Sequence, residues 1–191
     1  MTEQEVKELL LSRRSMGAMT AEVPSQEIIE ELIEVASMAP NHHLSAGWRF
    51  FVLAGDARRK LGEVHAVVTA EDLPSNLGAD ARESRLAAER QKPLRAPVIL
   101  VAAVVPTPES PKVIITEDAY GMAAGIENML LLAQAKGLAA VWRTGKPAFS
   151  PQMLSFLGLP SESRVVGLVY LGYPQGEYPK ARARCVTTTW L

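Results

Sequence analysis

Apolar positions change their spacing from segment to segment, and that change is the first guide to the fold. Val6, Leu9 and Leu10 recur at helical spacing to about Arg13, behind Thr2 and Glu5, which have the spacing of a capping box. Ser25 stands where an N-cap belongs. Ile28, Ile29, Leu32, Ile33 and Ala36 then form one helix face, and Pro40 stops it. WRFFVLAG (48–55) reads as a strand ending at Gly55, after which Asp56 is expected to cap a helix to about Val67. Residues 71–95 are polar and rich in Arg and Glu, which predicts a solvated helix from Ala79 to Gln91 within a flexible excursion. APVILVAAVVP (96–106) is an unbroken apolar run, the mark of a strand buried on both faces. PTPESPK (106–112) is a loop.

A long helix is predicted over 116–136. Ala119, Met122, Ala123, Ile126, Met129, Leu130 and Ala133 share one face, while Ala124, Leu131 and Leu132 lie elsewhere around it. A helix apolar on most sides belongs at the centre of a core or at a subunit interface. Gly137 is placed to end it. LAAVWRTG (138–145) is a further strand, Ser150-Pro151 opens a short helix that Gly158 ends, and RVVGLVYLGYP (164–174) is the last strand. No internal repeat interrupts this alternation of helices and buried strands, which predicts one domain over 1–191.

Composition narrows the partners. A formal charge of −1 with no long Lys/Arg block gives no sign of a nucleic-acid partner. The longest apolar run, Val98 to Pro106, is too short to span a bilayer, so no membrane partner is expected. Cys185 is the single cysteine, which excludes an intrachain disulfide and a cysteine-built zinc site. The charged, helical first segment does not read as a signal peptide. These features predict a soluble protein of a reducing, cytoplasmic compartment.

Four stretches put polar groups where the pattern is otherwise apolar: Arg13-Arg14-Ser15, MAPNHHLSAGWRF (38–50), VWRTG (141–145) and KARAR (180–184). Each has a plain structural reading. Arg13 and Arg14 complement the dipole at a helix C-terminus. His42-His43 forms a turn and lacks further metal ligands, so no metal site is expected. Trp142 is core while Arg143 snorkels, and Lys180, Arg182 and Arg184 form a solvated tail. As one set at strand ends, however, they suit an anionic planar cofactor, with arginines on its oxygens and Trp or His in apolar contact. Neither a G-x-G-x-x-G turn nor a P-loop is present, and G-x-S-x-G is absent too. A mononucleotide held by arginine side chains fits better than a dinucleotide on a glycine turn.

LLLSRRSMGAM, IIEELIEVASMAPNHHLSAGWRFFVLAG, GIENMLLLAQAKGLAAVWRTG and VVGLVYLGYPQGEYPK occur in this order over nearly the whole chain. The ordered set resembles the FMN-dependent nitroreductase family, and within it the small bacterial NAD(P)H nitroreductases. The resemblance implies an α+β, three-layer fold with a central mixed sheet flanked by helices. It also implies an intertwined homodimer with FMN at the interface. Arg13, Arg14 and Ser15 match the first flavin segment, meeting the phosphate and the pyrimidine edge. Met38 and His42 match positions facing the flavin of the other subunit, and Trp142, Arg143 and Thr144 match the third flavin segment. Arg182 with Arg184, or Lys180 with Arg182, match a basic pair on the phosphate. Leu132 to Gly137 match a stretch associated with the nicotinamide nucleotide.

The activity so implied is ping-pong transfer of hydride from NAD(P)H, as co-substrate, to a nitroaromatic, quinone-like or other conjugated small-molecule acceptor, with no side chain required as catalytic acid. The chain departs from the pattern at Ala46-Gly47, where many members have Gln-Pro, and at Met38, where close relatives carry arginine. These departures keep open a flavin-binding carrier without turnover, and consumption of NADH or NADPH with a quinone separates the oxidoreductase from it. A third reading is a flavin enzyme that dehydrogenates a small metabolite, whose flavin is reduced poorly by nicotinamide and fast by its own substrate.

Overall fold

The strand with no polar residue lies inside the sheet. The computed structural model describes residues 2–109, 112–180 and 185–191. Among them, four strands, β1 (Trp48–Ala54), β2 (Val98–Val104), β3 (Ala139–Arg143) and β4 (Arg164–Gly172), form one sheet in the order β1-β2-β4-β3. Every residue of β2 is buried. Val98, Leu100, Ala102 and Val104 meet one helical layer, while Ile99, Val101 and Ala103 meet the other. Strand periodicity of two makes this division, and an all-apolar strand is what two covered faces require.

The first layer is α2 (Gln26–Ser37) and α5 (Ile115–Ala135), with Ile29, Leu32, Ala36, Met122, Ile126 and Met129 at its centre. Gly121 and Gly125 let the end of α2 lie directly on α5: a Cβ at either would stand 2.5 or 2.6 Å from the carbonyl oxygens of Pro40 and Ala36. The second layer is α3 (Asp56–Asp72), α4 (Ala79–Gln91) and α6 (Pro151–Leu157), reached through Leu61, Met153, Leu168 and Tyr170. The three-layer α+β arrangement is the expected one.

Three expectations change. The sheet is not mixed: every pairing among the described strands is antiparallel. Helix α5 does return the chain so that β2 and β3 run in the same direction, but β4 inserts between them and reverses both contacts. Helix α3 is preceded by Gly55 at φ +52 with no side-chain cap, and it continues to Asp72 because Leu61, Ala66 and Val68 keep a buried stripe. The polar stretch 71–95 is no loose excursion. Helix α4 folds back on α3, and Arg90 pairs with Glu63 and Glu83, each at 2.9 Å.

Helix α1 (Glu3–Ser12) opens with the expected capping box and has no buried residue. The segment after it runs beside the edge strand β3: Met16 N donates to Ala140 O at 3.0 Å, and Thr20 N to Tyr173 O at 2.9 Å. This placement carries Arg13 to Gly17 toward the C-terminal end of β3.

Candidate functional site

Strand β3 ends at Arg143, and successive side chains point to opposite faces of the sheet. Val141 and Arg143 therefore face the α3–α6 layer, whereas Trp142 packs against the α5 layer. The Arg143 guanidinium lies 5.3 Å from the centroid of the Tyr170 ring, in cation–π contact. On this face opens a cavity of about 390 Å³ lined by Arg143 and Thr144, by His65, Glu89, Lys92 and Arg95, and by apolar residues including Val141 and Leu168.

The charge of this cavity is one-sided. Lys92 pairs with Glu89 at 2.5 Å, while neither Arg95 nor Arg143 has a carboxylate partner among the described residues. Three cations thus face one carboxylate. Burial pushes the Tyr170 hydroxyl up to about 12, with Arg143 pulling the other way. Burial also pushes the His65 imidazole down to about 4. Tyr170 keeps its proton and His65 stays neutral at ordinary pH, so the positive field is that of Lys92, Arg95 and Arg143.

The first predicted segment adjoins this cavity. A Cβ on Gly17 would lie 3.7 Å from an Arg143 terminal nitrogen. Gln134 of α5 holds the segment from below, accepting from Arg14 N at 2.8 Å and donating to Ser12 Oγ at 2.9 Å. Arg13 is largely buried and its Nε donates to Glu127 at 2.9 Å. The described side-chain hydrogen bonds of Arg13 use Nε alone, which leaves its two terminal nitrogens for a ligand. Arg14 behaves differently: its guanidinium donates to Leu11 O at 2.8 Å and Arg13 O at 2.5 Å, capping the end of α1. The plain reading of a cation at a helix end thus describes the Arg14 side chain. Ser15 is exposed.

Met38 and His42 lie elsewhere. Met38 is exposed at the C-cap of α2. His42 sits in a short 3₁₀ turn, His42–Leu44, stacks on His43 with ring centroids 4.2 Å apart, and meets Glu117 at 3.1 Å. Beside it Ser45 Oγ donates to the buried Asp118 at 2.7 Å. The first turn of α5 therefore pins this loop, while the far end of α5 pins Arg14. Glu117 and Glu127, which meet His42 and Arg13, are about 15 Å apart along the helix axis.

Gly47 explains itself sterically, since a Cβ there would stand 2.6 Å from Val105 O. Trp142 borders the cavity, but its indole packs over Gly167, where a Cβ would lie 1.8 Å from Nε1. Arg182 and Arg184 lie outside the described residues; Lys180 is exposed. Sequence reasoning did not single out Glu89, Lys92 and Arg95. The signal for Lys92 and Arg95 is QKPLRAP (91–97), two cations at the turn into a buried strand. Among the described residues no group of three or more His, Cys, Asp or Glu is placed to hold a metal, and no helix is long and apolar enough to cross a membrane.

Comparison with known proteins identifies the family. YdjA of Escherichia coli K12, which carries the name of an NAD(P)H nitroreductase, is 28% identical over 168 residues, covering 88% of this chain and 87% of its own. A nitroreductase-like family protein from Bacillus cereus is 26% identical, with a TM-score of 0.78 over 97% of this chain and 94% of its own. A Bacteroides fragilis nitroreductase solved with bound FMN shares the fold at 20% identity, with a TM-score of 0.71 over 98% of each chain. The sequence model of the Nitroreductase family matches residues 10–173, which include the β3 end, its cavity and the Arg13 segment. With most of its length inside that match, the chain belongs to the nitroreductase family, a family of oxidoreductases.

Proposed function

We propose that the protein is an FMN-dependent oxidoreductase that takes hydride from NAD(P)H and passes it, in a ping-pong cycle, to a nitroaromatic, quinone-like or other conjugated acceptor. One observation carries the reading: the Arg13–Gly17 segment and the Arg143–Thr144 strand end, distant in sequence, meet beside one cation-lined cavity. The residues present fit FMN. Arg143, Lys92 and Arg95 line the wall, and apolar groups from β3 and β4 supply a surface for a planar ring. FMN, when bound, supplies an acceptor and donor of hydride, chemistry that no side chain provides.

The residues then have distinct tasks. Arg13, oriented by Glu127, offers its terminal nitrogens to the phosphate together with Ser15. Arg143 and Lys92 favour negative charge at the pyrimidine edge, a field made stronger by the partly enclosed site. Val141, Leu168, Pro147 and Ala148 exclude water from one side. Tyr170, pushed up to about 12, and His65, held neutral, are poor proton donors at neutral pH, so protons come from solvent.

A second copy of the chain completes the site in this reading. Met38 and His42, neither of which lines the cavity of its own chain, face the ligand from another subunit in this reading. Helix α1 leaves Val6, Leu10 and Leu11 exposed, and Trp190 and Leu191 are exposed at the other terminus. Such apolar surface suits a homodimer.

The first experiment is the absorption spectrum of the purified protein, with the heat-released chromophore identified by chromatography. FMN at about one per chain is expected. Arg13→Ala and Arg143→Ala are each expected to weaken FMN binding by about 1.5–3 kcal/mol, the usual loss of a charged hydrogen bond. A colourless protein that takes up no added FMN refutes the cofactor. Bound FMN without NADH or NADPH oxidation in the presence of a quinone favours the carrier alternative.

A further inference from the structure

A second cavity, of about 330 Å³, lies where the start of α3 meets the turn before β2. Among the described residues its lining includes three arginines, Arg58, Arg59 and Arg95, and no carboxylate. None of the three forms an ion pair among the described residues. Arg58 is anchored, donating from a terminal nitrogen to Ala96 O at 2.5 Å, and its buried Nε has no partner. The side chains of Arg59 and Arg95 make no described hydrogen bond to a protein group, and Met19, Leu94, Ala96 and Pro97 give the cavity an apolar floor.

Two physical costs meet here. Three like charges around one small cavity repel one another, in a chain whose net charge is −1. Arg58 and Arg59 also lie in the first turn of the 17-residue α3, where the helix dipole disfavours cations. Asp56, the acid of that turn, is directed toward Lys60 at 3.5 Å. An anion in the cavity relieves both costs.

We infer that this cavity is an oxyanion site for a phosphate or pyrophosphate group of a small molecule, separate from the cavity at the end of β3. Guanidiniums recognise such oxygens in paired N–H contacts, and the Thr20 hydroxyl at the rim adds a donor. Arg58 and Arg59 border this cavity alone, whereas Arg95 borders both. The site therefore stands whether or not the flavin reading holds.

The test is calorimetric titration of the full chain, FMN-loaded if it carries FMN, with sodium pyrophosphate at low ionic strength kept constant with chloride. One saturable site is expected. Arg59→Gln, at an exposed residue with no described partner, is expected to weaken it tenfold or more, while Arg143→Gln leaves it within twofold. Arg58→Gln tests the anchored group, with circular dichroism confirming the fold. No saturable binding, or equal binding by wild type and Arg59→Gln, overturns the inference. Loss of binding in Arg143→Gln alone overturns it as well, because the anion then sits at the first cavity.

Discussion

His65 offers the sharpest test of how the cavity wall is built. The residue is 8% exposed and both ring nitrogens are buried without a partner. Burial holds its pKa at about 4 against 6.5 for a free imidazole, Glu89 pulling it up and Lys92 pressing it further down. The folded pKa is depressed, so stability is fully present above the unfolded value and is lost as pH falls from about 6.5 toward 4. Over that window the unfolded chain binds a proton that the native chain refuses. A gap of this size corresponds to about 3 kcal/mol, a large share of the stability of a typical domain. Replacing the imidazole by His65→Leu removes the titration and the two unpaired nitrogens while keeping a similar volume. The variant is expected to equal or exceed wild type at about pH 7.5, and to lose about 2–3 kcal/mol less than wild type on going to about pH 4.5. Urea unfolding of both proteins at the two pH values measures this. Carboxylates contribute equally to the two slopes and cancel. Identical pH dependence would show that His65 is already paired or solvated in the fold, and the argument would fail.

Other predictions concern close packing and assembly. Gly62→Ala places a Cβ 2.4 Å from Arg90 O at the α3–α4 crossing. The strain, about 1–3 kcal/mol, exceeds the helix-propensity gain of up to about 1 kcal/mol, so the midpoint of thermal unfolding should fall; a rise refutes it. Gly167→Ala drives a methyl into the Trp142 indole, and should shift tryptophan fluorescence and destabilise the fold by at least about 2 kcal/mol; an unchanged spectrum and stability would contradict the packing. Removing 186–191, which includes the exposed Val186, Trp190 and Leu191, should leave unfolding of the isolated chain within about 0.5 kcal/mol. Sedimentation should nevertheless show a weaker dimer, and an unchanged dimer would place its interface elsewhere.

Local rules read the elements well because each was set by neighbours in sequence. Ser25 and Ser150 accept from the backbone of Ile28 and Met153 as N-caps do, Gly158 ends α6 in the left-handed region, and the 79–91 helix falls within its predicted bounds. What sequence did not reveal depends on direction. An all-apolar β2 has the same appearance in a parallel or an antiparallel sheet covered on both faces, so the order of β4 between β2 and β3 was hidden. For the candidate site, Arg13 and Arg143 stand out in sequence as cations at a helix end and a strand end, and in the fold Gly17, four residues after Arg13, lies against Arg143. The split of duties between Arg13, which points to Glu127, and Arg14, which turns back on α1, follows from a helix end that pattern alone does not orient. Lys92 and Arg95 reach the cavity only because α4 folds back along α3, a tertiary fact set by Gly62 and the Arg90 ion pairs.

If the proposed site draws Arg13 from one subunit and His42 from another, flavin binding and dimerisation must be linked. A ligand that contacts both chains has more partners in the dimer than in the monomer, so it binds the dimer more tightly. Reciprocity then requires that saturating FMN, at one per chain, tighten the dimer by the square of the factor by which dimerisation tightens each FMN. Losing one charge-assisted or stacking contact is worth about 1.5–3 kcal/mol, which sets the coupling at about tenfold to more than hundredfold. Dilution of the flavin-loaded protein should therefore release FMN with a dependence on chain concentration, followed by recovery of free-flavin fluorescence. His42→Ala should weaken that dependence even though His42 meets Glu117, about 15 Å along α5 from the Glu127 that holds Arg13 of its own chain. Flavin release independent of concentration across the monomer–dimer transition would mean that each chain binds its cofactor alone, and that His42 faces Glu117 for purely structural reasons.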